Sequence, residues 1–248
     1  SVLPEEDIEV KVTDLTLASY DEKGNLVDVV YHTDLSDVRI FIDAEGQNDL
    51  YALANMGNMA DAMPQRVDNV GEVDFEITSY EDVGLNGIPM CAHMTVTASD
   101  DEPVIMLERL FAKINLRILH TSLTASNTST DYAYNLCNKS VYIRQANRKL
   151  YPFASSGSRA LSQDDILAES DCNPDLNDKT VHKDMSGFGP GPGYWKDTTV
   201  VMYVPENMQG MLLPANDDPF AKVEESIKEV NGRDYSGLCT YVELNAWK

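Results

Sequence analysis

Tyr203-Val204-Pro205-Glu206-Asn207-Met208-Gln209-Gly210 closes an apolar run that begins at Val200. Such a run, cut off by a proline, reads as a buried strand reaching its exit. Proline has no N–H to give to a β ladder, so the pairing stops at Pro205. Asn207 and Gly210 follow as turn residues, the glycine because it tolerates backbone conformations that other residues resist.

Working outward from this strand, strand periodicity is far commoner than helical periodicity. Ile8, Val10 and Val12 alternate with Glu9, Lys11 and Thr13, and Leu15 and Leu17 continue with the opposite parity. This predicts one strand over Ile8 to Leu17, buried on one face, with a bulge or a crossing between sheets near Thr13-Asp14. Asp21-Glu22-Lys23-Gly24-Asn25 predicts a hairpin turn, with Leu26 to Tyr31 returning as a strand. Val73, Phe75 and Ile77 alternate with Asp74, Glu76 and Thr78 as a half-buried strand does. Leu107, Leu110, Phe111 and Ile114 fit a helix template, whereas Ile114, Leu116 and Ile118 fit a strand, which predicts a strand with one helical turn at its start. Val141-Tyr142-Ile143-Arg144 is a further short strand. Many short strands separated by turn signals predict an all-β protein of antiparallel sandwiches.

From Pro152 to about Thr199 the composition shifts to Ser, Asp, Asn, Gly and Pro. This predicts a domain junction followed by long surface loops, dividing the chain into an N-terminal domain, 1–151, and a C-terminal domain, 152–248. Within these loops Tyr194-Trp195 would serve either as an aromatic platform for sugar or as a buried anchor.

The chain has 41 acidic and 19 basic residues, a formal net charge of −22. Nucleic acid and anionic lipid would be repelled at long range, so neither is an expected partner. No run is long enough to span a bilayer and no charged-then-apolar leader stands at Ser1, from which a start inside a mature or trimmed protein is expected. Cys91, Cys137, Cys172 and Cys239 lack metal-type spacing, and free, mostly buried thiols are expected. His32, His93, His120 and His182 are scattered. Asp171, Asn173, Asp175 and Asn177 alternate like the opening of a calcium loop, but Leu176 replaces its glycine and His182 its glutamate, so a plain polar loop is expected. Asp100-Asp101-Glu102 and Glu224-Glu225 are adjacent acids of the solvated kind. No nucleophile and base are displayed together. The expectation is therefore a protein that is not an enzyme and has no cofactor and no metal.

Tyr203, Val204, Pro205, Glu206, Asn207, Gln209 and Gly210 resemble the "YVPEN-x-QG" signature of the FimA-type fimbrillin family, the pilus subunits and related lipoproteins of Bacteroidales. Further segments resemble that family in the same order. Val38 to Ile42 followed by Leu50 to Asn55 is similar to its early strand pair. Gly87-Ile88-Pro89-Met90 is similar to its "IPM" segment, Leu107 to Ile114 to its "L-x-R-x-x-A-K-I" strand, and Cys239 to Leu244 to a later strand. The order, more than any one piece, carries the resemblance. It implies two tandem antiparallel β-sandwich domains of transthyretin-like type. It also implies a structural subunit or adhesin of a cell-surface fimbria, the type V pilus, exported as a lipoprotein precursor. Its partners would be other pilus subunits, and it would meet the outer membrane only through a lipid anchor outside this sequence. The alternative is a surface-anchored lipoprotein that binds a glycan or another host or bacterial surface ligand without polymerising.

The mechanism implied by the resemblance is donor-strand exchange: proteolysis removes a first strand and a strand of the next subunit fills the groove. The candidate exchangeable strand carries Ile8, Val10, Val12, Leu15 and Leu17. At roughly 1.5–3 kcal/mol each, these would hold an exchanged strand essentially irreversibly. The family's protease cuts after arginine in an early loop, and this chain departs from that pattern. Its first arginine, Arg39, stands between Val38 and Ile40 in an expected strand, so Lys23 in the exposed turn is the candidate processing site, unless the subunit is an unprocessed anchor or tip. Trypsin is likewise expected to cut first at Lys23 or between Ser155 and Lys196. The family's "Y-x-x-YLG" and "N-D-F-N-x-x-R-N" segments are not in the sequence. The second domain is therefore expected to be incomplete, or completed by a neighbour, in a chain trimmed after Lys248.

Overall fold

The structure, a computed structural model, describes residues 9–77, 86–100, 103–118, 124–127, 130–133, 137–144, 146–154, 198–205 and 240–247. Their architecture is all-β, and every pairing is antiparallel. Strands β1 (Leu15–Tyr20), β2 (Leu26–His32), β3 (Gln47–Ala54), β5 (Met90–Thr97) and β6 (Glu108–Arg109) form one sheet in the order β2-β1-β3-β5-β6. Short strand β4 (Phe75–Glu76) pairs with β11 (Lys149–Leu150), and β8 (Thr124–Asn127) with β9 (Thr130–Ala133). β7 (Phe111–Ile118) pairs with β12 (Thr198–Pro205), and β10 (Cys137–Arg144) with β13 (Tyr241–Trp247). The last two ladders each join a strand before residue 151 to one after 152.

The five-stranded sheet is buried on both faces, which is why alternation along it is partly masked by a run of small and apolar residues. Ala18, Tyr20, Leu53 and Cys91 face a core that also holds Val70, Leu110, Phe111, Ile143, Tyr203 and Val204. Leu17, Leu50, Ala52, Ala92 and Val96 face the other way, where Val38, Ile40, Ile42, Ile105 and Leu107 pack on them. One turn expectation holds. Asp21 Oδ1 accepts the amides of Lys23 and Asn25 at 2.9 and 2.8 Å, and Gly24 takes φ +76°, closing the β1–β2 hairpin. The apolar run before Pro205 is strand β12, with Tyr203 and Val204 buried, and the turn expected at 207–210 lies outside the described residues.

The expected N-terminal strand is corrected. Ile8 lies outside the described residues, 9–10 are helical, 11–14 belong to no ladder, and Val10 is 68% exposed. Only Leu15 and Leu17 are on a strand, β1, and it is held between β2 and β3. The physical reason is that side chains take up the backbone groups around the parity switch. Thr13 N donates to Asn55 Oδ1 at 2.8 Å, and Asp14 Oδ1 accepts from the amides of Met56 and Gly57 at 3.2 and 3.0 Å. The switch marks where a strand begins rather than a bulge within one.

Two further expectations change. No helical turn opens the 107–118 segment: Leu110 separates β6 from β7, buried and donating its amide to Pro89 O at 2.9 Å. Val38 to Ile42 alternates in burial but forms no ladder. Arg39 is therefore not on a strand, and its side chain is 82% exposed beside Asp37. Proteases bind substrate as an extended segment, and the tight turn around Lys23 resists that shape. Limited trypsin is thus expected to cut after Arg39 before Lys23, as read from the masses of the first fragments. Cleavage at Lys23 first would show that the hairpin turn opens more cheaply.

Candidate functional site

The outer edge of β5 is the least finished part of the main sheet. All eight of its residues pair with β3, but on the other side only Met90 and Cys91 pair, with Arg109 and Glu108. From Ala92 to Thr97 that edge has no ladder partner among the described residues. At the Met90 end of the same strand lies a groove of about 610 Å³ lined by Val10, Val12, Met90, Ile105, Met106, Leu107 and Phe111, with Glu9, Glu108 and Arg109 as its charged members. Met106 on its wall and Val104, which does not line it, are 77% and 73% exposed. An open edge with apolar surface alongside is a template for another strand.

One end of this groove is organised by a carboxylate. Lys113 lies directly opposite Tyr203 in the β7–β12 register, so the two side chains are cross-strand neighbours. Both reach Glu9 Oε1: the Lys113 ammonium in a close ion pair and the Tyr203 hydroxyl at 3.1 Å. Arg109 Nε donates to the Glu9 carbonyl at 2.9 Å. The hydrogen bond from Lys113, then that from Tyr203, holds the Glu9 carboxyl below the usual carboxylate range. The contact is therefore present through neutral pH and is lost only as acid protonates the carboxylate.

At the other end, Asn55 holds residues 11–13. Its Nδ2 donates to Lys11 O and Ile88 O, both at 2.8 Å, while Oδ1 accepts from Thr13 N at 2.8 Å and Thr13 Oγ1 at 3.1 Å. Asn55 has φ +62°, a left-handed conformation that asparagine tolerates better than most residues. Gly87 makes room for this amide: at φ +91°, a Cβ there would lie 2.7 Å from Asn55 Nδ2 and 2.9 Å from Lys11 O.

Of the residues singled out in sequence, the structure thus brings together Val10, Val12 and Tyr203, along with Arg109 and Lys113 from the Leu107 to Ile114 segment. Leu15 and Leu17 lie on β1, while Lys23 and Arg39 sit apart on exposed segments. Glu9 escaped notice because nothing local distinguishes it from the other 40 of the chain's 41 acidic residues. Cys91 is a buried thiol, its Sγ donating to Pro152 O at 3.2 Å. His93 stacks on Tyr51 at 4.4 Å and pairs with Asp49 at 2.9 Å, and His32 Nε2 lies 3.2 Å from Arg39 O. Glu206, Asn207, Gln209 and Gly210, the calcium-like loop, Tyr194-Trp195, Cys172, Cys239, His120 and His182 lie outside the described residues. Among the described residues no group of three His, Cys, Asp or Glu could hold a metal, and no helix is long and apolar enough to cross a membrane.

No protein-family model and no curated protein matches the chain. Solved structures do. The tip fimbrial protein Mfa3 from Porphyromonas gingivalis, with a C-terminal truncation, is similar at a TM-score of 0.54 and 18% identity over 97% of this chain and 74% of that one. A fimbrial assembly protein from Parabacteroides distasonis gives 0.45 and 13% over 81% and 71%. A candidate cell adhesion protein from Bacteroides eggerthii gives 0.47 and 13% over 62% of this chain, which spans about half, 49%, of that protein. At these identities the likeness to Mfa3 establishes a shared fold.

Proposed function

We propose that this chain is a cell-surface fimbrial subunit or adhesin that joins a neighbouring pilus subunit by accepting a strand of it. The observation that carries the reading is the edge of β5 from Ala92 to Thr97, which has no ladder partner among the described residues, together with the apolar groove at the Met90 end of the same strand. An incoming strand gains main-chain hydrogen bonds from the edge and seats alternate apolar side chains in the groove. The fold shared with a tip fimbrial protein supports the same reading. So do the fimbrillin-like segments, two of which supply Arg109, Lys113 and Tyr203, the residues that hold Glu9 at the groove's end. On this reading the protein reaches the cell surface as a lipoprotein, in keeping with the family it resembles.

The test uses residues that the fold does not need. Val10 and Met106 line the groove yet are 68% and 77% exposed, so Val10→Lys with Met106→Lys should leave the melting temperature unchanged. Losing even half of two apolar burials, ~1.5–3 kcal/mol each, predicts at least a tenfold fall in the amount of protein found in sheared filaments by immunogold labelling. Wild-type protein absent from filaments, or the double variant incorporated equally well, would refute the reading.

A further inference from the structure

The five-stranded sheet has a second outer edge, β2, which pairs with β1 on one side and with no strand on the other among the described residues. Register fixes which of its main-chain groups face outward. Asp14 O accepts the Asn55 amide at 3.2 Å, so main-chain bonds from Thr16 and Ala18 run to β3 and those from Leu15, Leu17 and Ser19 to β2. His32, Val30 and Asp28 answer the latter three, which turns the N–H groups of Val29 and Tyr31 out of the sheet. A bare edge of this kind, here Leu26-Val27-Asp28-Val29-Val30-Tyr31-His32, invites a second chain. Asp28 is its only Asp, Glu, Lys or Arg. Its Oδ1 accepts the outward amide of Val29 at 2.9 Å, while Oδ2 accepts the amide of Phe41 at 3.0 Å. At the start of the strand the Leu26 amide is likewise taken, by Gln65 O at 3.1 Å.

We infer that Asp28 closes the β2 edge against pairing with the β2 strand of a second copy of this chain, so that growth of the sheet is confined to β5. The confinement rests on the strand-accepting reading of β5, whereas the closure stands on β2 alone. The excluded occupant follows from the strand itself. About a two-fold axis at Val29, two β2 strands would run antiparallel, with Val29 exchanging both main-chain bonds with its counterpart and Val27 opposite Tyr31 on the same face. The bond to Asp28 Oδ1 occupies the donor at the centre of that pairing. Two Asp28 carboxylates would also stand diagonally across the axis as like charges. The contact with Phe41 keeps the carboxylate in place: Ser19 Oγ, fully buried, donates to Phe41 O at 2.6 Å and fixes the segment that Asp28 grips.

The experiment uses the full chain. In the wild-type monomer the Val29 amide should exchange at least about tenfold more slowly than that of Tyr31, which is turned outward with no acceptor among the described residues. Equal rates would overturn the closure. Asp28→Ala should self-associate at least about tenfold more tightly than wild type in sedimentation velocity at one salt concentration, with new exchange protection at Val29 and Tyr31 as protein concentration rises. Asp28→Ala combined with Val29→Pro should return to the wild-type value, because proline supplies no donor and that N–H serves no ladder with β1. A folded Asp28→Ala variant that associates no more than wild type would overturn the inference, as would protection gained at Ala92 to Thr97 instead of at β2. Failure of the wild-type protein to enter filaments would count against the reading of β5 alone.

Discussion

Replacing Asn55 with alanine is expected to lower the unfolding free energy by about 3–5 kcal/mol, measured by urea denaturation. The truncation removes an amide that makes four hydrogen bonds, two donated to main-chain oxygens and two accepted from Thr13. Each lost bond costs about 1 kcal/mol, and each buried partner left unpaired costs roughly 1–3 kcal/mol. Ile88 O is on the buried side of this node, so water does not readily replace the amide. Alanine at φ +62° adds about 1 kcal/mol of backbone strain. Asn55→Gly removes the strain but not the loss of bonds, and should be milder than alanine by roughly that last amount. A fall under about 1 kcal/mol for Asn55→Ala would mean the bonds around Lys11 and Thr13 are already shared with water.

Much of the sheet was legible because its signals are local. Asp21 and Gly24 build the first hairpin from within five residues, and the apolar run Val200 to Val204 reads directly as strand β12. Alternation, by contrast, reports which side of an extended segment is buried and says nothing about what its backbone bonds to. Val38 to Ile42 therefore has the burial of a strand without its ladder, and Val10 and Val12 have the spacing of a strand without its conformation. The candidate site was half legible. Lys113 and Tyr203 belong to segments that stand out in sequence, but their common target lies 104 and 194 residues away, beyond any local pattern.

Tyr20 supplies the other large effect, because it ends a strand that is paired on both sides and leaves its neighbours no way to close a gap. Its ring is fully buried, meets Tyr51 edge-on at 5.6 Å, and Tyr51 in turn meets Phe153 at 4.9 Å. Its hydroxyl donates to Pro64 O at 2.8 Å. Tyr20→Ala should cost about 3–5 kcal/mol, the range for an aromatic truncated in a rigid core. Tyr20→Phe keeps the ring and should cost only about 1–2 kcal/mol, the share of Pro64 O left without its donor. The pair also differs in alkali. Burial, then the neighbouring Tyr51, pushes the Tyr20 phenol above its ordinary range. A group with a raised folded pKa contributes stability that is complete below the unfolded value, near pH 10, and is lost as pH rises beyond it. Wild type should therefore lose stability above about pH 10 more steeply than Tyr20→Phe, which has no phenol to ionise at that position. Parallel pH profiles for the two proteins would show that Tyr20 ionises as easily folded as unfolded, and that its hydroxyl is wetter than its contact with Pro64 implies.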